Sequence, residues 1–345
     1  MVKYIFVFCS LFPLIATAQT GGNNSWQFLN VPVNARLAAS GGYNVSLRDQ
    51  DISLAANNPA SLNNEMGKYL SINYLPYLSD INGVTMMYGM PRKNNVYGIG
   101  LTYFSYGNMI QTEENGDVTG EFKARDYALT GTASHKIGNY VIGATVKLVG
   151  SHIGSYNSFG ALTDLGGMFV HPKRAWTVGL AVKNLGFAVN KYTAQKVNVP
   201  FDVQIGTTYK LEHMPLRFSL TAHHLNQPDI VYLDPGKEPV KDLEGNEIKE
   251  EKKLGDQVLR HFNLGGEFLL SKNFNIRVGY NHLRRRELRL KEKSGAAGFS
   301  LGGMIRIKGF EFAYTRSFYH AAGGTSHLTL TTNFSTFVKK EKKLI

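Results

Sequence analysis

Residues 140–150, YVIGATVKLVG, decide the fold. On an extended chain Tyr140, Ile142, Ala144, Val146 and Leu148 fall on one face, and Gly143, Thr145 and Lys147 on the other. A period of two marks a β-strand whose sides meet different surroundings, here one apolar and one small or polar. The pattern recurs in both directions. Phe299, Leu301, Ile305 and Ile307 oppose Ser300, Gly302 and Arg306; Phe218, Leu220 and Ala222 oppose Arg217, Ser219, Thr221 and His223. Trp176, Val178, Leu180 and Val182 oppose Thr177, Gly179, Ala181 and Lys183.

Applied along the chain, this alternation predicts strands near 68–77, 81–90, 95–106, 122–134, 138–152, 157–170, 174–184, 200–210, 215–225, 258–270, 273–281, 296–307, 309–319 and 323–335. That is about fourteen, an even number as in single-chain bacterial barrels. No helical period intervenes, so the strands should form an antiparallel meander. The connections PRKNN, HKIGN, HPKR, KLEHMP, SKN and KG are tight and turn-rich. They alternate with longer ones at 107–121, 185–199, 226–257 and 282–295, and with brief ones at 78–80, 153–156 and 320–323. In an up-and-down barrel the long connections then share one rim.

A secreted β-sandwich or propeller also alternates, so the period alone does not identify a membrane barrel. Three features do. The strands approach the roughly ten residues of a tilted bilayer crossing. The polar face is rich in Gly, Ser, Thr and Asn, suited to a wet lumen. Aromatic residues crowd strand ends as an interfacial girdle would: Tyr97, Tyr103, Tyr106, Trp176, Phe201, Tyr209, Phe310, Phe318 and Tyr319. Lipid offers no hydrogen bonds, so the last strand, HLTLTTNFSTF, must pair with the first, near KYLSINYL.

The flanks complete the expected organisation. Residues 1–18 follow a secretory pattern, with Lys3, an apolar run and Ala16-Thr17-Ala18 as cleavage site. That run is short and holds Pro13, unlike a transmembrane helix. The only cysteine, Cys9, lies within it, which leaves a mature chain without thiol chemistry. The barrel should span 67–338, end on the aromatic pair Phe334 and Phe337, and leave 339–345 as a short basic tail. A net charge of +12 suits anionic headgroups or acidic partners, or simply a solvated surface. Residues 19–66 do not alternate. Fourteen strands enclose a hole that would leak, and a segment of this length before the first strand reads as an N-terminal hatch or plug. An exposed linker would leave Phe28, Leu29, Val31, Leu37, Ile52 and Leu54 in water. Within it Asn57, Asn58, Pro59 and Ala60 should make a rigid turn whose amides bond the barrel wall.

The stretch WQFLNVPVNARLAASGGYNVSL…DISLAANNPASLN resembles the amino-terminal hatch of fatty-acid-transporter-like barrels, in which an Asn-Pro-Ala motif recurs. TGGNNSWQFLNVP, GEFKARDYAL, RFSLTAHHL, SKNFNIRVGYNHLRRRELRL and GFEFAYTRSFYHAAGGTSHLTLTTNFS further resemble the PorQ family of the type IX secretion system, over nearly the whole mature chain. The resemblance implies an outer-membrane component of an attachment complex in a Gram-negative bacterium. Its partners would be PorU-like, PorV-like and PorZ-like subunits, with lipopolysaccharide as the destination of cargo. Long loops would be extracellular and termini periplasmic, with the PorZ-like subunit held at the surface. Two alternatives follow from the relatives: a transporter of hydrophobic, fatty-acid-like compounds, and a cargo shuttle of PorV-like kind.

No enzyme is expected. No G-x-S-x-G elbow occurs, and Gly98 and Gly100 lack the third glycine and helix of a dinucleotide fold. No cofactor, metal or nucleic-acid partner is expected. His223 and His224, adjacent on a strand, should point to opposite faces and so not share a metal. Two loops hold information. Residues 228–257 are long, charged and net acidic. Residues 284–293 gather Arg284, Arg285, Arg286, Arg289, Lys291 and Lys293, either as a solvated hairpin tip balanced by Glu287 and Glu292 or as a docking surface for phosphates or carboxylates.

Overall fold

Fourteen antiparallel strands close into a ring in the computed structural model, which describes residues 24–92, 95–192, 198–231, 240–241, 247–248, 253–289, 295–320 and 323–336. In chain order they are β1 (Tyr69–Pro76), β2 (Asn82–Arg92), β3 (Asn95–Thr112), β4 (Val118–Ile137), β5 (Tyr140–Ile153), β6 (Tyr156–Val170) and β7 (Trp176–Asn190). They continue as β8 (Asp202–Lys210), β9 (Leu216–Ala222), β10 (Phe262–Phe268), β11 (Phe274–Asn281), β12 (Phe299–Ile307), β13 (Phe310–His320) and β14 (Gly323–Asn333). Each pairs with its sequence neighbours, and β14 closes on β1 in a register from Tyr69 opposite Asn333 to Tyr74 opposite Leu328. Closure leaves no unpaired edge, which a sheet in hydrocarbon requires.

The alternation of β5 becomes an inside and an outside. Tyr140, Ile142, Val146 and Leu148 face outward and exposed, while Thr145 and Lys147 are buried in the lumen. Phe299, Leu301, Ile305 and Ile307 repeat this on β12, against inward Ser300 and Gly302. Ala222 departs from the reading: it is buried, because β9 ends there as the chain turns into the rim.

Three expectations need correction. First, β3 and β4 run to 18 and 20 residues, so most of the expected loop 107–121 is a tall hairpin tipped by residues 113–117. β7 likewise consumes the start of the loop expected at 185–199. Above a bilayer the outer face no longer needs to be apolar, so the alternation fades while the pairing continues. Second, helices occur among the long connections: α2 (Leu254–Arg260) replaces the start of the strand expected at 258–270, and α3 (His282–Leu288) opens the supposed hairpin. Asn281 caps α3, its side chain accepting from Arg284 N at 2.8 Å, ahead of good helix formers. Third, two residues assigned to the girdle turn inward. A register shift between Ser105 and Asn108 sends the Tyr106 hydroxyl to Asp126 at 2.6 Å, and one between Phe318 and His320 buries Tyr319. A girdle does form at the short-turn rim, where Tyr140, Phe169, His171 and Trp176 lie ring to ring with centroids 5.4–6.3 Å apart.

The leader 1–18, Lys291, Lys293, Phe337, the tail 339–345 and most of 228–252 lie outside the described residues.

Candidate functional site: the occupied lumen and the long-loop rim

Residues 24–66 are built from short helical turns. The first, Gln27–Asn30, follows Trp26 without a side-chain cap. Each of the other four is started by an Asn or Asp whose side chain satisfies a backbone N–H that the turn itself leaves free. Asn34 caps α1 (Ala35–Ala39), accepting from Leu37 N at 3.0 Å. Asp51 caps the turn Ile52–Ala56, Asn58 caps Pro59–Ser61 and Asn63 caps Asn64–Met66. The turns are brief because such residues recur every few positions. Between them Phe28, Leu37, Ile52, Leu54, Leu62 and Met66 are buried.

The Asn-Pro-Ala turn lies against the wall. Asn58 Oδ1 accepts from Ala60 N at 2.9 Å while Nδ2 donates to Val45 O at 2.6 Å and to Gly167 O of β6 at 3.3 Å. Pro59 provides the fixed φ that starts the turn, and Asn57 lines a neighbouring cavity. Space for the turn comes from Gly143 and Gly166, paired across β5 and β6. A Cβ on Gly166 would collide with Asn58 Oδ1, and one on Gly143 would stand 2.5 Å from the Pro59 carbonyl carbon.

Other bonds reach around the ring. Ala35 N donates to Thr329 Oγ1 of β14 at 2.9 Å, and Thr315 Oγ1 of β13 donates to Ala35 O at 2.7 Å. Thr177 of β7 donates to Ser46 O at 2.6 Å, Asn263 of β10 to Tyr43 O at 2.8 Å, and Ser134 of β4 to Leu62 O at 2.8 Å. The segment therefore lies within the ring, fastened to its lumen-facing polar side chains.

The strongest fastening is ionic. Arg36 of α1 grips Asp49 bidentately at 2.7 and 2.6 Å and reaches Glu267 of β10 at 2.8 and 3.1 Å. Arg217 of β9 bonds Glu267 at 2.8 Å and Asp49 at 3.2 Å, Arg277 of β11 lies 3.1 Å from Glu267, and Asp51 is 3.7 Å from Arg36. Three guanidiniums thus meet three carboxylates, and their formal charges balance, which offsets the cost of taking them out of water. Burial alone would raise the Asp49 carboxyl; Arg36 and Arg217 outweigh it and hold Asp49 well below the ordinary carboxylate range. For Asp51, farther from its cation, burial wins and raises the pKa.

A second buried set includes Lys147, 2.6 Å from Asp164 and donating to Asn184 Oδ1 at 2.8 Å. Nearby, the buried Lys183 ammonium makes no side-chain hydrogen bond or ion pair among the described residues, and the residue borders a cavity of about 100 Å³. Phe28, Leu29, Val31 and Met87 line that cavity together with Thr130, Thr132 and Thr145.

At the long-loop rim α2 and α3 meet through Asp256, which bonds Arg286 at 2.6 Å, Arg260 at 2.9 Å and His282 at 3.2 Å. Although burial opposes it, hydrogen bonding from Arg260 and His282 lowers the Asp256 pKa. The arginines singled out in the sequence are largely engaged here. Arg284 lies 4.2 Å over the Tyr319 ring, and Arg285 donates to Gly295 O at 2.7 Å and Ala297 O at 3.2 Å. Arg289 is exposed.

His223 and His224 correct the expectation of opposite faces. β9 stops at Ala222 and His224 takes a left-handed φ of 55°, so the rings meet with Nδ1 atoms 2.6 Å apart. Tyr43 stacks on His223 at 3.9 Å, and His261 Nδ1 contacts His223 O at 2.8 Å. Burial pushes His223 well below its ordinary pKa, and His224, His261 and Arg284 add to the shift. Among the described residues no group of three or more His, Cys, Asp and Glu is arranged to hold a metal.

No protein-family model matches the chain, and no curated protein does. Solved structures do resemble it. A mutant of the TodX monoaromatic hydrocarbon channel aligns over 88% of this chain and 97% of its own, with TM-score 0.51 and 13% identity. The CymD monoaromatic hydrocarbon channel aligns over 88% and 96%, with TM-score 0.48 and 13% identity. Outer membrane protein Omp33 of Acinetobacter baumannii covers 77% and 96%, at TM-score 0.36 and 10% identity. At such identity the first likeness speaks to the fold, and it agrees with the closed ring and its apolar exterior: the chain is a fourteen-stranded β-barrel of the outer-membrane kind.

Proposed function

We propose that this barrel is a stoppered anchor of the type IX secretion attachment complex, holding a PorZ-like surface subunit through its long-loop rim. Residues 24–66 act as the plug. The observation that supports this most directly is how that segment is held: bonds to β4, β6, β7, β10, β13 and β14 and a neutral six-residue ion cluster suit a floor better than a passage. β1 begins and β14 ends at the short-turn rim, so a periplasmic location of both termini puts the tall β3–β4 hairpin, α2 and α3 outside the cell. The resemblance to PorQ-like proteins along the chain supports the choice of partner, and PorU-like and PorV-like subunits complete the complex. The test is capture of a PorZ-like subunit from detergent-solubilised outer membrane by the intact chain. Deleting residues 232–252, or replacing Arg286 and Arg289 by glutamine, should release it from a barrel that still migrates as folded. Undiminished capture by both variants would overturn the assignment.

The second reading, a conduit for hydrophobic compounds, draws on the cavity lined by Phe28, Leu29, Val31 and Met87. It requires the segment to move aside. Liposome uptake of a labelled long-chain acid by the purified barrel would support it.

A further inference from the structure

A second cavity, of about 500 Å³, opens at the short-turn rim between the amino-terminal segment and the wall. Arg48, Asp49, Asn63, Asn64 and Glu65 line it from the segment, and Asn95, Lys136, Arg174, Trp176, Lys210 and Arg217 from the strand ends. Its charges are unbalanced. Asp49 and Arg217 already belong to the neutral cluster with Arg36 and Glu267. Four cations then remain, Arg48, Lys136, Arg174 and Lys210, against the single carboxylate of Glu65. None of the four forms an ion pair among the described residues, and the Arg48 guanidinium has only a 3.4 Å bond to Ala60 O. Burial lowers the Arg48 pKa despite the attraction of Glu65, the mark of a cation short of counter-charge.

We infer that this vestibule binds a small ligand bearing several phosphate groups, entering from the short-turn side. Its volume is that of an ordinary small-molecule site. Three surplus positive charges exceed what one carboxylate would neutralise, whereas clustered phosphoryl oxygens accept from Arg forks and Lys ammoniums together. Asn63 and Asn64 on the segment and Asn95 on the wall add neutral polar groups. The site lies at the opposite rim from α2 and α3, so it stands or falls independently of the docking assignment. The phosphates could belong to a free solute or to a lipid headgroup, and the two sources are separable.

The probes are sodium tripolyphosphate and dihexanoyl phosphatidic acid, titrated calorimetrically into the full chain in a neutral maltoside at low and physiological salt. Saturable binding of either, weakened at least tenfold by Lys136→Gln with Arg174→Gln, supports the site. Tripolyphosphate as the tighter probe indicates a free solute, and phosphatidic acid a headgroup. Lys123→Gln with Arg125→Gln makes the same change in net charge on β4 toward the other rim and should leave binding unaltered. Heat-modifiable migration verifies that each variant is folded. Absence of saturable binding by both probes, or equal weakening by the two charge-matched variants, would overturn the inference.

Discussion

Replacing Arg36 by methionine removes the hub of the lumen cluster while keeping most of its bulk. Four charge-assisted hydrogen bonds to Asp49 and Glu267 disappear, and the balance of three cations against three carboxylates becomes two against three. Removing one partner from a buried pair typically costs about 3–5 kcal/mol, chiefly because the remaining charge is stranded. Arg217 and Arg277 still serve Glu267, so the lower end, about 3 kcal/mol, is expected. The loss falls on seating of the segment rather than on closure of the ring, whose ladder hydrogen bonds are untouched. At 1.4 kcal/mol per factor of ten, the released population should rise by roughly a hundredfold. Two assays read this: single-channel conductance in a planar bilayer, expected to show frequent large openings, and limited proteolysis, expected to cut within 24–66 while the barrel resists. Adding Asp49→Asn restores neutrality at two against two and should recover part of the closed behaviour. If Arg36→Met is as quiet and as protease-resistant as the parent, the cluster does not hold the segment and the reasoning fails.

Further outcomes follow from other sites. Gly166→Val should displace the Asn58–Ala60 turn and give the same open signature, whereas Gly167→Ala next to it, with open space around its Cβ, should remain closed. Leu148→Arg on the lipid face should cost about 2–4 kcal/mol if it lies near the bilayer midplane, measured as a lower denaturant midpoint for folding into liposomes. The folded His223 pKa lies below its unfolded value, so the unfolded state takes up the proton first. Stability of the long-loop rim should therefore be full above about pH 6.5 and fall as pH drops below it, seen as faster amide exchange around 223–224 and abolished by His223→Gln. Asp49 follows the same sign in a more acidic window: its contribution is present above the ordinary carboxylate pKa and is lost as pH falls from there through its depressed folded value. Plug release by acid should accordingly need stronger acid than loosening of the rim.

The ring was legible because hydrocarbon and lumen impose opposite demands on alternate residues, as Ile142 and Thr145 show. The local turn at Asn58 and Pro59 is readable for another reason, since capping and a fixed φ are local properties. What lay beyond the period was not. Arg36 and Glu267 are separated by 231 positions, and nothing local to either announces the other. The heights of β3 and β4 were missed because the outer face loses its apolar requirement above the bilayer. His224 was misassigned because one left-handed residue cancels the alternation on which the strand reading rests. Of the basic cluster at 284–293, the composition showed the charge but could not show that Tyr319, the Gly295 and Ala297 carbonyls and Asp256 would occupy Arg284, Arg285 and Arg286.

The bonds between Ala35 and the two final strands constrain the order of assembly. Thr315 and Thr329 are synthesised 280 and 294 positions after the helix they secure. Until that last hairpin arrives, one side of the helix has nothing to grasp. Seating of the amino end should therefore be completed no earlier than the cylinder itself, with the latest-made residues locking the earliest in place.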